Sequence, residues 1–366
     1  MTFAWAVMFL VFAAAVHAGS ASGSDAPALD AAASLPDTSV NSNDALRQLV
    51  LRCKERPDDR AAQNALENRV SAGLPNPIDT SLLPGLPVDA TLIDGGLGTV
   101  VTLRSYLPSK AVEPQHETGF SRITYIYRRA STPDQPFEIL FCCVHYSDLG
   151  DASLAERAGR LLLLARDTMA RNLRCAPFND DRPFDVWLCR GGKAGGEQWR
   201  DNIYFYDLDT PRSSIEWIRE IIHEYSHLAL APVGGYEAPE YWANGYIGER
   251  LVVRWIMRRS DGPQLVERLW GTFSGAPNFS RLLIDPAVKL YKTTGPSHEW
   301  IERTDAEGMK YLIGQVLTID DKYGPRVLGE AMSHLPRFRD ARAADLVTAL
   351  MAALPASKRK VQRAGP

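Results

Sequence analysis

Ile221-Ile222-His223-Glu224-Tyr225-Ser226-His227-Leu228 is the stretch on which the reading of this chain turns. At helical pitch His223 and His227 stand one turn apart on one face, so both imidazoles can reach a single cation while Glu224 points toward its water. Ile218, Ile221, Ile222 and Leu228 bury this helix, and buried imidazoles without partners are costly. Upstream, Ser213 and Glu216 are spaced as a capping box, which starts the helix about two and a half turns before His223. The H-E-x-x-H spacing therefore predicts two Zn²⁺ ligands, His223 and His227, and a general base, Glu224.

The 366 residues, 45% hydrophobic and 23% charged, describe a globular chain rather than a disordered one. A net charge of −3 supplies no basic field, so nucleic acid is not expected as a partner, and Lys358-Arg359-Lys360 reads as a solvated tail, 356–366. Ala4 to Val16 is apolar but short for a membrane span, and Val16-His17-Ala18 carries the small residues of a cleavage site. Residues 1–18 read as a signal peptide, which makes the mature protein secreted, without a membrane anchor. Five cysteines (Cys53, Cys142, Cys143, Cys175 and Cys189) in an exported chain then suggest one or two disulfides. Adjacent Cys142 and Cys143 should point to opposite faces of a strand.

Further along, residues 19–43 form an Ala-, Ser- and Asp-rich leader, and 44–95 hold a short helical hairpin followed by a linker with Pro75, Pro77, Pro84 and Pro87. Strands are predicted at Thr99 to Tyr106, Ser121 to Arg128, Phe137 to Tyr146 and Phe184 to Cys189, with a helix from Ala152 to Leu173 between the last two. Gly191 to Gly196 reads as a flexible turn, and no phosphate-loop Lys-Ser/Thr follows it. Asn202 to Leu208 alternates like a half-exposed edge strand, onto which an extended peptide could add. Past Arg259 the periodicity is helical at Leu265 to Phe273, Trp300 to Ile319, Arg326 to Leu335 and Ala343 to Leu354. The fold class is α+β: a mixed-sheet lobe with the H-E-x-x-H helix at 96–235, then a mostly helical lobe at 236–355, with a cleft between them.

The order strand, helix, strand, edge strand, H-E-x-x-H helix resembles the catalytic domain of zincin metallopeptidases of the gluzincin type, over roughly residues 137 to 335. The resemblance implies a zinc peptidase acting on peptide or protein substrates, with a third ligand, a Glu, on the next helix. Many such proteins carry P-x-W-x-x-E-G there; this chain has Pro239-Glu240-Tyr241-Trp242-Ala243-Asn244-Gly245, with Asn244 at the ligand position in that register. A helical wheel that places Arg250, Arg254 and Arg258 toward solvent turns Glu249 inward, which selects Glu249 as third ligand, with Asn244 the alternative ligand or a donor behind one. Glu237 and Glu240, ahead of the helix, rank behind Glu249. The oxyanion donor expected from the second lobe is Tyr311, with His298 next. A secreted binding protein on a catalytically silent zincin scaffold is the competing expectation, prompted by Asn244.

Overall fold

Alternation in Phe120–Ser131 sends Ile123, Tyr125 and Tyr127 to one face of a strand and Ile126 to the other, and this division organises a layered α+β structure. The computed structural model describes residues 43–56, 59–62, 64–66, 88–92, 98–109, 120–131, 136–174, 177, 182–336 and 340–354. These lie within one compact unit, Pro36–Pro366. The expected signal peptide, leader, most of the Pro-rich linker and the basic tail lie outside the described residues. No described helix is long and apolar enough to cross a membrane.

Seven strands form one mixed sheet: β1 (Val88–Leu92), β2 (Gly98–Ser109), β3 (Phe120–Ser131), β4 (Pro136–Tyr146), β5 (Phe184–Leu188), β6 (Gly195–Trp199) and β7 (Asn202–Tyr206), in the order β1-β2-β3-β4-β5-β7-β6. The first four are an antiparallel meander; β5 then pairs parallel to β4, and β7 parallel to β5. The crossover from β4 to β5 is the predicted helix, α2 (Ala152–Leu173), whose Leu161, Leu162, Ala165 and Met169 are buried on the sheet. On the opposite face, Leu46, Leu49 and Val50 of α1 (Asn43–Glu55) cover Ile123, Tyr125 and Tyr127.

Two expectations fail at the far end of the sheet. Asn202–Tyr206 is not a half-exposed edge strand: β7 lies between β5 and β6, and all five of its residues are buried. Its alternation is real, with Ile203 and Phe205 in the main core, but Tyr204 and Tyr206 enter an aromatic layer with Phe120 and Trp187 instead of solvent. Nor is Gly191 to Gly196 only a turn, because its last two glycines begin β6, which pairs antiparallel with β7 and forms the sheet edge. Two glycines masked the strand pattern there.

The capping box holds as predicted. Ser213 Oγ accepts from the Glu216 amide, and the Glu216 carboxylate accepts from the Ser213 amide at 2.7 Å, opening α3 (Ser214–Ala229). After a loop, α4 (Asn244–Arg258) packs along α3; α5 (Gly262–Leu269), α6 (Asp285–Thr294), α7 (Ala306–Tyr323), α8 (Pro325–Ser333) and α9 (Ala343–Ala353) complete the chain. The sheet part and the helical part share one hydrophobic cluster, running from Ile126 to Leu354.

The arginines of α4 do not form the solvent flank assumed for it. Arg250 is 8% exposed, and Arg254 and Arg258 face Asp320 and Asp321 of α7. Asp320 is fully buried and accepts from Trp255 Nε1 at 3.0 Å and Arg258 Nη1 at 2.9 Å, so on that side of the helix Arg254 and Arg258, the latter still exposed, reach back to carboxylates of α7. Cys142 and Cys143 take the opposite strand faces expected of neighbours, in the main core and against the α1 cluster respectively. Both are free thiols, and Cys189 Sγ contacts the Trp187 carbonyl. Among the described residues there is no disulfide; Cys175 and the Cys53 side chain lie outside them.

Asp320→Ala should strand the Trp255 indole N–H and part of the Arg258 guanidinium, lowering unfolding stability by about 2 kcal/mol. Urea denaturation checks this. A loss below about 0.5 kcal/mol, the scale of an ordinary surface substitution, would show that Asp320 does not hold α4 against α7.

Candidate metal centre

The H-E-x-x-H face of α3 is closed by two elements, the loop that follows α3 and the first turn of α4. His223 Nε2 and His227 Nε2 point at each other across 3.2 Å. Both also face one carboxylate, with Glu240 Oε2 at 3.3 Å from His223 and Glu240 Oε1 at 3.4 Å from His227. His223, His227 and Glu240 together could hold a metal ion.

What lies behind the imidazoles decides which way their lone pairs face. Asn244 turns its amide nitrogen to the carbonyls of Leu230 and His227, both at 3.3 Å, and of Ser226 at 3.4 Å, capping the C-terminal end of α3. Those contacts require donors, so Asn244 Oδ1 is the atom 3.1 Å from His227 Nδ1, and that nitrogen must carry the proton. Glu249 does the same for His223: its Oε2 lies 3.3 Å from His223 Nδ1 and, as a carboxylate, can only accept. Both Nε2 atoms of the neutral rings are therefore bare lone pairs facing each other and a carboxylate, an arrangement that a positive charge between them resolves. The same field acts on protons. Burial alone would depress His223, but the hydrogen bonds to Glu240 and Glu249 push it up to about 10.

Glu249, expected as the third ligand, faces His223 Nδ1 in this structure and is not in the group with the two Nε2 atoms. Its burial, at 1% exposure, is as predicted, but its carboxylate lies behind His223, bound to Arg219 Nε at 2.6 Å and close to Arg250 Nη1 at 3.3 Å. Burial disfavours its charge, yet His223, Arg250 and Arg219 hold the carboxyl at about 2. The wheel gave its burial correctly, but a wheel does not say on which side of His223 the carboxylate lies. Asn244 likewise supports a ring and does not join the trio.

Glu240 comes from the loop, which is pinned on several sides. The Glu237 amide donates to Thr304 at 2.7 Å, the Ala243 amide to Val233 at 2.8 Å, and Gly234 and Pro232 bond to Ala341. Burial opposes the Glu240 charge, but the two imidazoles draw its carboxyl down to about 2. Beside it the backbone of α4 comes very close: a Cβ on Gly245 would lie 2.4 Å from His227 Nε2 and 2.7 Å from His223 Nε2. The overlooked sequence signal was this glycine, at the helix position nearest both ligands.

Glu224, 7% exposed, lies under the sheet edge, where a Cβ on Gly196 of β6 would meet its Oε1 at 2.8 Å. Burial pushes its carboxyl up to about 7 against the pull of His223 and His227. Tyr246 sets its ring edge against His223, centroids 4.4 Å apart. Tyr311, expected as the oxyanion donor, is fully buried; its hydroxyl donates to the Gly295 carbonyl at 2.6 Å and accepts from the Ser297 amide at 2.9 Å, which ties down a turn. The next choice, His298, is 88% exposed in its side chain and faces Glu302. No known family model matches the chain, and no curated protein is detectably similar to it.

These positions rank three substitutions by metal affinity, measured by competition with a chromophoric chelator. Glu240→Ala should cost most among the carboxylates, whereas Glu249→Gln, which leaves the donor trio intact, should cost about 10–100-fold. Gly245→Ala should match or exceed the ligand loss, because its methyl occupies the space between the rings. A larger loss for Glu249→Gln than for Glu240→Ala would reverse the assignment.

Proposed function

We propose that this chain is a secreted zinc-dependent metallopeptidase of the zincin type, in which His223, His227 and Glu240 hold Zn²⁺ and Glu224 is the general base. The observation that carries the reading is the convergence of His223 Nε2 and His227 Nε2, 3.2 Å apart, on the Glu240 carboxylate, whose Oε2 lies 3.3 Å from the first ring and Oε1 3.4 Å from the second. Zinc with ligands at about 2.0–2.1 Å in a tetrahedron separates them by about 3.3 Å. Two imidazoles and one carboxylate are also a donor set that zinc takes in hydrolases, and three protein ligands leave a fourth position for water, where structural sites close all four.

Zinc bound there would lower the pKa of its water toward neutrality and polarise a scissile carbonyl. Glu224 sits next to the first ligand, half-way in burial cost between charged and neutral, with its carboxyl near 7. A carboxylate so poised takes a proton from water and returns it to the leaving amine. The β6 edge passes directly over Glu224, which supports binding of an extended peptide there by ladder hydrogen bonds. The competing idea of a silent scaffold drew on Asn244 as a lost ligand; as the partner of His227, Asn244 no longer argues for it.

Hydrolysis of a quenched-fluorescence peptide library should vanish with 1,10-phenanthroline and return with added Zn²⁺. Glu224→Gln should keep its zinc and lose about 10²–10⁴-fold in turnover. Equal turnover by wild type and Glu224→Gln would refute the peptidase reading.

A further inference from the structure

Next to the metal trio a cavity of about 290 Å³ opens between α4, α6 and α7. Two of its wall residues connect it to the centre: Tyr246, whose ring meets His223, and Pro239, which precedes Glu240. Its other walls are largely apolar, from Leu283, Pro286, Met309 and Ile313, with the 63% exposed Leu282 at the surface. That volume is close to the lower bound of about 300 Å³ for pockets that bury a small ligand.

One charged wall residue is out of keeping with that lining. Arg250 is 8% exposed, and its Nε is buried without a hydrogen-bond partner. Its Nη1 donates to the Tyr246 carbonyl at 3.2 Å and Glu249 Oε2 at 3.3 Å, and the guanidinium lies over the Tyr246 ring, 4.8 Å from its centroid. Glu249 already faces Arg219 at 2.6 Å, so a single carboxylate serves two guanidiniums. The remaining charges in the lining, Lys310 and Glu307, pair with each other at 3.1 Å. The cavity wall thus holds a buried guanidinium with one unpartnered nitrogen, on the residue type best shaped to grip a carboxylate.

We infer that this cavity receives the C-terminal residue of a peptide, its apolar side chain against Met309 and Ile313 and its free α-carboxylate on Arg250. The inference rests on the peptidase reading above and narrows it to a carboxypeptidase that prefers apolar C-terminal residues. The last peptide bond then lies at the metal trio. Water adds across it: its oxygen joins the acyl carbon, the C–N bond breaks, and both of its protons end on the leaving nitrogen, giving a carboxylate on the shortened peptide and one free amino acid as its ammonium.

Two measurements test it separately from the peptidase reading. In calorimetric titrations of the zinc-loaded protein, 3-phenylpropionate should bind at least about tenfold more tightly than 3-phenylpropanamide, because only the acid forms a charge-assisted pair. Arg250→Met should remove that preference, Arg250→Lys should retain part of it, and Leu282→Asp, a surface change that leaves the core intact, should weaken the acid severalfold. Equal binding of acid and amide, no binding of either, or an acid preference that survives in Arg250→Met would overturn the proposal. By mass spectrometry, a peptide ending in free Phe should lose that single residue, and its C-terminal amide should not. Internal cleavage of both at equal rates would overturn the carboxypeptidase assignment while sparing the peptidase. Acid-selective binding with neither peptide cut would instead remove the peptidase reading, and the substrate assignment with it.

Discussion

Two imidazole Nε2 atoms turned toward each other at 3.2 Å are the constraint on which the rest of this structure depends. Such a contact is repulsive unless something positive lies between, and the protein takes several steps to maintain it. Asn244 and Glu249 accept from the Nδ1–H on the far side of each ring, and Glu240 brings a carboxylate to the near side. Each support is fastened in turn: Asn244 by three carbonyls of the α3 terminus, Glu249 by Arg219 and Arg250, Glu240 by a loop bonded to Thr304 and Ala341. Orientation of this kind behind the ligands is how proteins fix the tautomer and basicity of metal-binding histidine.

Most of the fold was legible because its signals are local. The capping box at Ser213, the long apolar period of Ala152–Leu173 and the alternation around Ile123 each arise from neighbours within a few residues, and each predicted its element. Asn202–Tyr206 shows the limit of that reasoning. Its two-faced pattern is present, but whether the second face meets water depends on Phe120 and Trp187, far away in sequence. Tyrosine serves a buried aromatic layer as well as a half-wet surface, so composition alone does not separate the two cases.

The centre was legible only in part, for a related reason. His223, Glu224 and His227 share one helix, and their spacing fixes their relation; the third donor comes from another element, whose approach depends on tertiary packing. The wheel for α4 required one side to be solvent, and arginine is the residue least expected in a core. Arg250 is buried, and Asp320 of α7 draws Arg258 back toward the helix pair, so the row is not a plain solvent flank. Glu249 was correctly judged buried and in need of a positive partner, and Arg219 and Arg250 supply what zinc was expected to.

The closeness of α4 also explains why the third donor comes from the loop. At Gly245 the helix axis is so near the two rings that even a methyl would collide with both Nε2 atoms, so no side chain at that position can reach round to a metal between them. One turn further on, at Glu249, a carboxylate has already passed to the Nδ1 side of His223. A helix packed this tightly offers only its support positions, and the carboxylate on the Nε2 side has to arrive from residues that precede it. Glu240, four residues before α4 begins, is placed to do so. The same economy of space governs the opposite wall, where Gly196 lets the sheet edge come down on Glu224. Glycine on both walls thus compresses the site around three donors and one buried acid. That compression raises the carboxyl of Glu224 by desolvation.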